Sequence, residues 1–283
     1  MPPTAAFVSV PMPDIQFVGA HPANFGVGRG GIIPEALVVH IMGGRTGSEA
    51  ATRSWFWTPP GDGPGTRGRD AAGNRIGASS AHYGVTRGGE IVCYVQPADT
   101  AYSNGILNRG WEDRPAAPLV NANGPDTINR WCLSIEHEGK PDSDPIVTPE
   151  QFTASTRLAA WLFASHMLPF ADRTGVEVSR SRILRHTDFD PVDRADCPGW
   201  PSPRMEEYIA TVKGLLFPAR PDTDPRAALT EALVGLEMTA GSVLRVAGEL
   251  DAVAGAPADV RRLANELRAI ANGATAVVAR HRH

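Results

Sequence analysis

The sequence is short of three things: excess charge of either sign, long apolar runs and cysteine. A net charge of −4 over 283 residues leaves no basic footprint, which sets nucleic acid aside as a partner. No window approaches the ~20 consecutive apolar residues of a membrane helix, so no membrane span is expected. The opening stretch MPPTAAFVSVPMPD has neither a basic start nor an unbroken apolar run. It does not read as a secretory signal peptide; synthesis in the cytoplasm is expected, with any target beyond the membrane reached by other means. Three cysteines, odd in number and far apart, exclude a disulfide framework. Cys93 in IVCYV and Cys132 in RWCLSI are expected to be buried strand residues. Cys197 has polar neighbours and is a candidate functional thiolate. Hydrophobic residues at 42% and charged residues at 20% suffice for a sizeable core.

Proline and glycine are dense up to about residue 145, which marks many loops. EALVVHIMGG reads as a buried strand ending at a Gly-Gly break, and ASSAHYGVTRGGEIVCYV as two strands joined at Arg-Gly-Gly. WFWTPPGDGPGTRGRDAAGNR reads as a long glycine-rich loop forming a groove wall. RWCLSIEHEG is a further strand. Thr148 and Pro149 then open a helix as N-cap and first residue, with Phe152, Leu158, Trp161, Leu162 and Leu168 at helical spacing. SRILRH reads as a short strand, and the stretch from Ser202 as another helix. Strands with interspersed helices predict an α/β domain over 1–217, followed by a linker over 218–225. Residues 226–283 carry no aromatic side chain. There Leu229, Leu233, Leu236, Ala240, Val243, Ala247 and Leu250 alternate in steps of four and three, Gly255-Ala256-Pro257 breaks the pattern, and Val260, Leu263, Leu267 and Ile270 resume it. The spacing predicts a C-terminal helical hairpin that packs on the first domain, self-associates, or docks on a cell-envelope partner. The closing Arg280-His281-Arg282-His283 reads as a solvated tail.

The stretch RHTDFDPVDRADCPGW holds His186 and Cys197, and a disulfide, a metal and a chance cluster are the three ways to read it. Neutral imidazole and thiolate both suit Zn²⁺, but two ligands do not make a site. Among the other histidines His40 stands out, because it ends an apolar strand just before the Gly-Gly break, and strand ends are where α/β sheets place ligands. His137 follows Glu136 on one strand, so the two point to opposite faces, whereas Glu136 and Glu138 share a face. Asp188 and Asp190 are close enough to orient His186, although an Asp before Pro191 is also an ordinary turn residue.

The run of motifs VVHIMGG, WFWTPP, SAHYGVTRGGEIVCYV, LSIEHEG and RHTDFDP…DCPGW resembles, in order, the pattern of the zinc-dependent N-acetylmuramoyl-L-alanine amidases of the type-2 family. These are relatives of the peptidoglycan recognition proteins and are common in phage endolysins. The resemblance covers about residues 15 to 205. It implies a central mixed β-sheet flanked by helices, with Zn²⁺ in an open groove. It implies His40, His186 and Cys197 as metal ligands and Glu136 as general base, with Glu138 a rival. Peptidoglycan is the implied partner, cut at the amide between N-acetylmuramic acid and L-alanine.

Two departures from the family pattern bear on chemistry. Where many relatives place an oxyanion-stabilising lysine, this chain has Ala195, and Arg194 takes the role only if the loop bulges. Where relatives read Ala-Trp-His, this chain reads AYSNG, so Tyr102 and Ser103 stand in as substrate contacts. His82 is expected to line the groove and Tyr83 to pack in the core. The resemblance also implies a phage lysin or cell-wall lytic enzyme, released through a holin. The competing expectations are a muropeptide-binding module that does not cut, and a structural zinc protein in which Glu136 or Glu138 closes the site.

Overall fold

The computed structural model describes residues 10–43, 47–69, 73, 76–105, 110–167, 178–218, 243–244, 247 and 258–281. The chain divides into two compact units, Met1–Ala219 and Arg220–His283.

The first unit is built on a mixed six-stranded sheet. In chain order its strands are β1 (Gln16–Phe17), β3 (Ala36–Ile41), β4 (Tyr83–Val85), β5 (Ile91–Cys93), β7 (Cys132–His137) and β8 (Ile183–Arg185). Across the sheet they run β1-β5-β4-β7-β3-β8. The β4–β5 hairpin is antiparallel and every other neighbouring pair is parallel. Gly89, at φ 91°, supplies the left-handed backbone that closes the hairpin. Two shorter strands, β2 (Phe25–Gly26) and β6 (Thr100–Ala101), pair separately.

All six residues of β3 are buried, as a strand covered on both faces requires. Leu37 and Val39 join Leu133 and Ile135 on one face, under α4 (Pro149–Leu162) and α5 (Ser202–Leu216). Ala36, Val38 and Cys132 face the other way, against α2 (Ala117–Asn123) and α3 (Ile128–Trp131). Helix α4 starts as expected, with the Thr148 hydroxyl accepting from Gln151 N and Pro149 in the first turn. Leu158 and Leu162 are fully buried, while Leu168 lies outside the described residues. Cys93 and Cys132 are buried strand residues, their thiols pushed up to about 12 by desolvation.

One sequence expectation fails here. The WFW stretch is not loop: it ends helix α1 (Glu49–Trp57), N-capped by Ser48. The cap and the run Glu-Ala-Ala after it are a proper helix start, and only the residues past Thr58 are glycine-rich.

In the second unit, α6 spans Ala258–His281. Its buried residues include Ala264 and Ala271, one heptad apart, and Arg268 donates to the Ala247 carbonyl. Ile270, expected on the buried seam, is 65% exposed, because the buried stripe runs one residue along from it. The seam residues Leu229, Leu233, Leu236, Ala240 and Leu250 lie outside the described residues. No helix among the described residues is long and apolar enough to cross a membrane.

Behind the sheet, His137 links β7 to both covering helices. Its Nδ1–H donates to the His40 carbonyl at 2.8 Å, its Nε2 meets Ser155 Oγ at 2.7 Å, and Ser155 Oγ meets the Tyr208 hydroxyl at 2.7 Å. Burial holds His137 down to about 4. The unfolded chain therefore takes up a proton near pH 6.5 that the folded chain refuses, and stability is lost as pH falls from about 6.5 to about 4. The loss from this group is on the order of 3 kcal/mol. Urea unfolding across that window should give a shallower pH dependence for His137→Gln than for the parent, since glutamine keeps an N–H donor and does not titrate. Identical slopes would remove His137 as the responsible group.

Candidate metal centre

Parallel pairing sets His40 on β3 opposite Glu136 on β7, and Val39 opposite Arg185, the last residue of β8. His186 follows directly, so His40, Glu136 and His186 gather at the carboxyl ends of three adjacent parallel strands. A turn then returns Cys197 to the same place. Thr187 N donates to the Cys197 carbonyl at 3.1 Å, and Asp193 N to Asp190 Oδ1 at 3.0 Å. Asp188 does not touch the His186 ring. Its buried carboxylate ties down the turn, paired with Arg180 at 2.7 Å and Arg185 at 3.1 Å.

The ligand atoms of His40, His186 and Cys197 all lie within 4.8 Å of one another. The two Nδ1 atoms are 3.1 Å apart, and Cys197 Sγ is 3.9 Å from His40 Nδ1. His186 Nε2–H donates to the Asn104 carbonyl at 2.9 Å, which leaves Nδ1 with its lone pair facing His40 and Cys197. Burial, reinforced by the neighbouring His186, holds His40 well below the usual imidazole range. Burial, reinforced by the Arg194 charge, holds His186 at about 4. Both rings are thus neutral at neutral pH, the form that binds metal. Burial and then the Glu136 charge push the Cys197 thiol up to about 12, against the pull of the Ile41 N–H and Arg194. Two nitrogens each ~2.0–2.1 Å from a tetrahedral ion stand about 3.3 Å apart, close to the observed spacing, and the N, N, S donor set suits zinc.

A cavity of about 370 Å³ opens over this cluster, lined among others by His40, Glu136, His186, Cys197, Ser103 and Arg194. Burial raises the Glu136 carboxyl to about 7, opposed by Arg194, and Oε2 is buried without a hydrogen-bond partner. Glu138 is used differently: its oxygens accept from Glu49 N at 3.1 Å and Arg87 N at 2.9 Å, tying α1 to the hairpin. Arg194 is exposed, and its charge acts on His40, Glu136, His186 and Cys197 alike. Ala195 also lines the cavity.

Of the expected substrate contacts, Ser103 lines the cavity. The Tyr102 ring is set back over β2, its hydroxyl 3.1 Å from where a Gly26 Cβ would stand. His82, expected in the groove, is fully buried elsewhere. Its ring bonds Ser134 Oγ at 2.9 Å and packs against the buried Arg29 guanidinium. Sequence reasoning missed Asn104; its one signal was the turn-forming Asn-Gly pair.

Residues 30–200 match the family model described as N-acetylmuramoyl-L-alanine amidase. Among curated proteins none matches. Among solved structures, a selenomethionine derivative of AmpD is 18% identical, with 72% of this chain and 98% of that chain covered and a TM-score of 0.46. The Clostridium intestinale URNW endolysin LysCS is 17% identical, over 72% of this chain and 98% of its own, at a TM-score of 0.40. The amidase LysC of the same organism is 17% identical, over 71% and 99%, also at 0.40. With the matched segment spanning five of the sheet's six strands and the whole His40–His186–Cys197 cluster, this chain belongs to the N-acetylmuramoyl-L-alanine amidase family.

Proposed function

We propose that the groove over His40, His186 and Cys197 is the zinc-dependent active site of a peptidoglycan amidase, cutting the amide between the lactyl group of N-acetylmuramic acid and L-alanine. The observation that carries this reading is the convergence of two neutral imidazoles and one sulfur beneath an open cavity, in a chain of this family. His40, His186 and Cys197 would hold the metal at the floor of the cavity they line. Zinc supplies Lewis acidity there when bound, toward the scissile carbonyl and the attacking water. Glu136 takes the proton from that water and returns it to the leaving amine nitrogen; a carboxyl raised to about 7 suits both transfers. Arg194, in place of the family lysine, faces the negative charge that develops on the carbonyl oxygen. Ser103 contacts the substrate, and the Tyr102 ring backs the adjoining wall. Engagement of Glu138 with α1 and the hairpin favours Glu136 as the base. Retention of both Cys197 and Glu136 in the groove favours an enzyme over a muropeptide-binding module. The setting we assign is that of a phage-type lytic enzyme made in the cytoplasm and acting on the wall after release, with the unit Arg220–His283 as its docking element.

Digestion of purified cell wall, read by mass spectrometry, tests the bond. Stem peptides with a free L-alanine amine and uncut glycan are expected; new reducing sugar ends would overturn the assignment. Cys197→Ala should lose stoichiometric zinc and all release of peptide. Glu136→Gln should keep zinc while kcat falls by about 10²–10⁴-fold; near-parental turnover would remove Glu136 as the base. Arg194→Ala should lower kcat by roughly 10²-fold with little change in KM, and an unaltered kcat would leave the oxyanion without its assigned partner.

A further inference from the structure

We propose that Tyr94 is the positioning residue for Glu136. Its hydroxyl fills the space that Gly84 leaves open beside Glu136, on the face of the sheet that carries the groove, and so keeps the carboxylate turned to the cavity. The inference rests on the assignment of Glu136 as the base and deepens it.

Register places the parts. Val92 on β5, Gly84 on β4, Glu136 on β7 and His40 on β3 are successive partners across the sheet. Partners in a ladder project from the same face, so the four make one row, with Glu136 between His40 and Gly84. On its His40 side the row leads to the ligand cluster. On its Gly84 side it would open into a gap, because glycine has no side chain. The Gly84 backbone lies outside the left-handed region, so space and not conformational freedom calls for glycine here. A Cβ on it would stand 2.6 Å from the Tyr94 hydroxyl oxygen, 2.9 Å from Tyr94 Cε2 and 3.0 Å from the Met42 methyl. The volume next to Glu136 therefore belongs to Tyr94, with Met42, which also lines the cavity, beside it.

Tyr94 is itself fixed from several sides. Its ring is buried and meets Phe56 edge-on, with centroids 5.0 Å apart. Its main-chain N donates to the His82 carbonyl at 2.9 Å. Its hydroxyl donates to Glu49 Oε1 at 3.2 Å, and Glu49 N in turn donates to Glu138 Oε1 at 3.1 Å. The one hydroxyl proton is thus committed to Glu49, while Glu136 Oε2 is buried without a hydrogen-bond partner. An oxygen that accepts no hydrogen bond cannot be aimed by one, which leaves packing to aim it. A glutamate side chain is long and rotamer-rich, and a rigid wall on its Gly84 side removes the rotamers that lean away from His40. The base is then held in place before the substrate arrives.

The test uses the full chain. Tyr94→Leu vacates the space over Gly84. Crystals of metal-free Tyr94→Leu should show the Glu136 carboxylate turned toward Gly84; a carboxylate still in its parental place overturns the proposal. On soluble muropeptide, Tyr94→Leu should lower kcat by about 10²-fold with KM and bound zinc at parental values. Placed on Glu136→Gln, the same substitution should cost nothing further, because its effect runs through the carboxylate. An undiminished further loss sinks the idea, as does a parental kcat in Tyr94→Leu. Tyr94→Phe keeps the ring on Phe56 and removes only the hydroxyl. It should show the same displacement and the same kcat-only loss to a smaller extent, and it decides should Tyr94→Leu not fold. A parent that releases no stem peptide refutes the amidase reading instead, while the crystallographic position of Glu136 in the variants still decides the role of Tyr94.

Discussion

The register of β3 between β7 and β8 is the constraint on which this chemistry depends. Parallel pairing sets His40 opposite Glu136 on one side and brings β8 to its last paired residue one position before His186 on the other. Side chains alternate along a strand, so a slip of one residue would turn His40 toward α4 and α5 and present an aliphatic side chain to the groove. The register is enforced by burial on both faces. Leu37, Val39, Leu133 and Ile135 must reach one core, and Ala36, Val38 and Cys132 the other. Apolar packing that carries no chemistry thereby sets where the chemistry happens.

What surrounds the cluster then adjusts its protonation. Burial alone makes both imidazoles neutral, which favours a metal, but it also disfavours the thiolate and the ionised Glu136. Arg194 is the countermeasure. It is exposed, and its field favours the anionic forms of Cys197 and Glu136 while further disfavouring imidazolium. A single cation at the rim thus pushes each candidate ligand toward the form that would bind a metal. The buried Asp188 with its two arginines keeps the turn that carries His186 in place, and Glu138 does the same for the start of α1.

Much of this was legible in the sequence, and the parts that were not share a cause. Apolar runs and turn residues disclosed β3, the β4–β5 hairpin and β7, while Thr148-Pro149 disclosed the start of α4. The convergence of His40, His186 and Cys197 was legible because imidazole and thiol at strand ends and in a Pro-Gly turn have few bland uses. Period-two alternation could not separate Glu136 from Glu138, since both occupy one face; the Glu49 and Arg87 amides, distant in sequence, make that choice. His82 was misplaced for the same reason. Its ring is captured by Ser134 and Arg29, neither of which is near it in the chain. Helix α1 was hidden by the glycine-rich stretch that follows it, and Ile270 fell off the buried seam because a seven-residue repeat of alanines beside it packs instead.

Glu136 is held at a cost to folding, and that cost is informative. A carboxyl raised to about 7, with one oxygen buried and unpartnered, costs folding free energy as pH rises from about 4.5 to about 7. The sign follows from the shift: the folded state binds a proton that the unfolded chain has already released. A surface position, or a glutamine, would avoid that cost. The same sheet demonstrates the alternative at Glu138, whose two oxygens both have backbone donors. Two glutamates two residues apart, one near the end of β7 and one just past it, are thus treated in opposite ways, one with both oxygens paired and one lining the cavity. Packing and register give no reason for that asymmetry, but the proposed proton transfer does, because a base must be basic enough to take a proton and still acidic enough to pass it on.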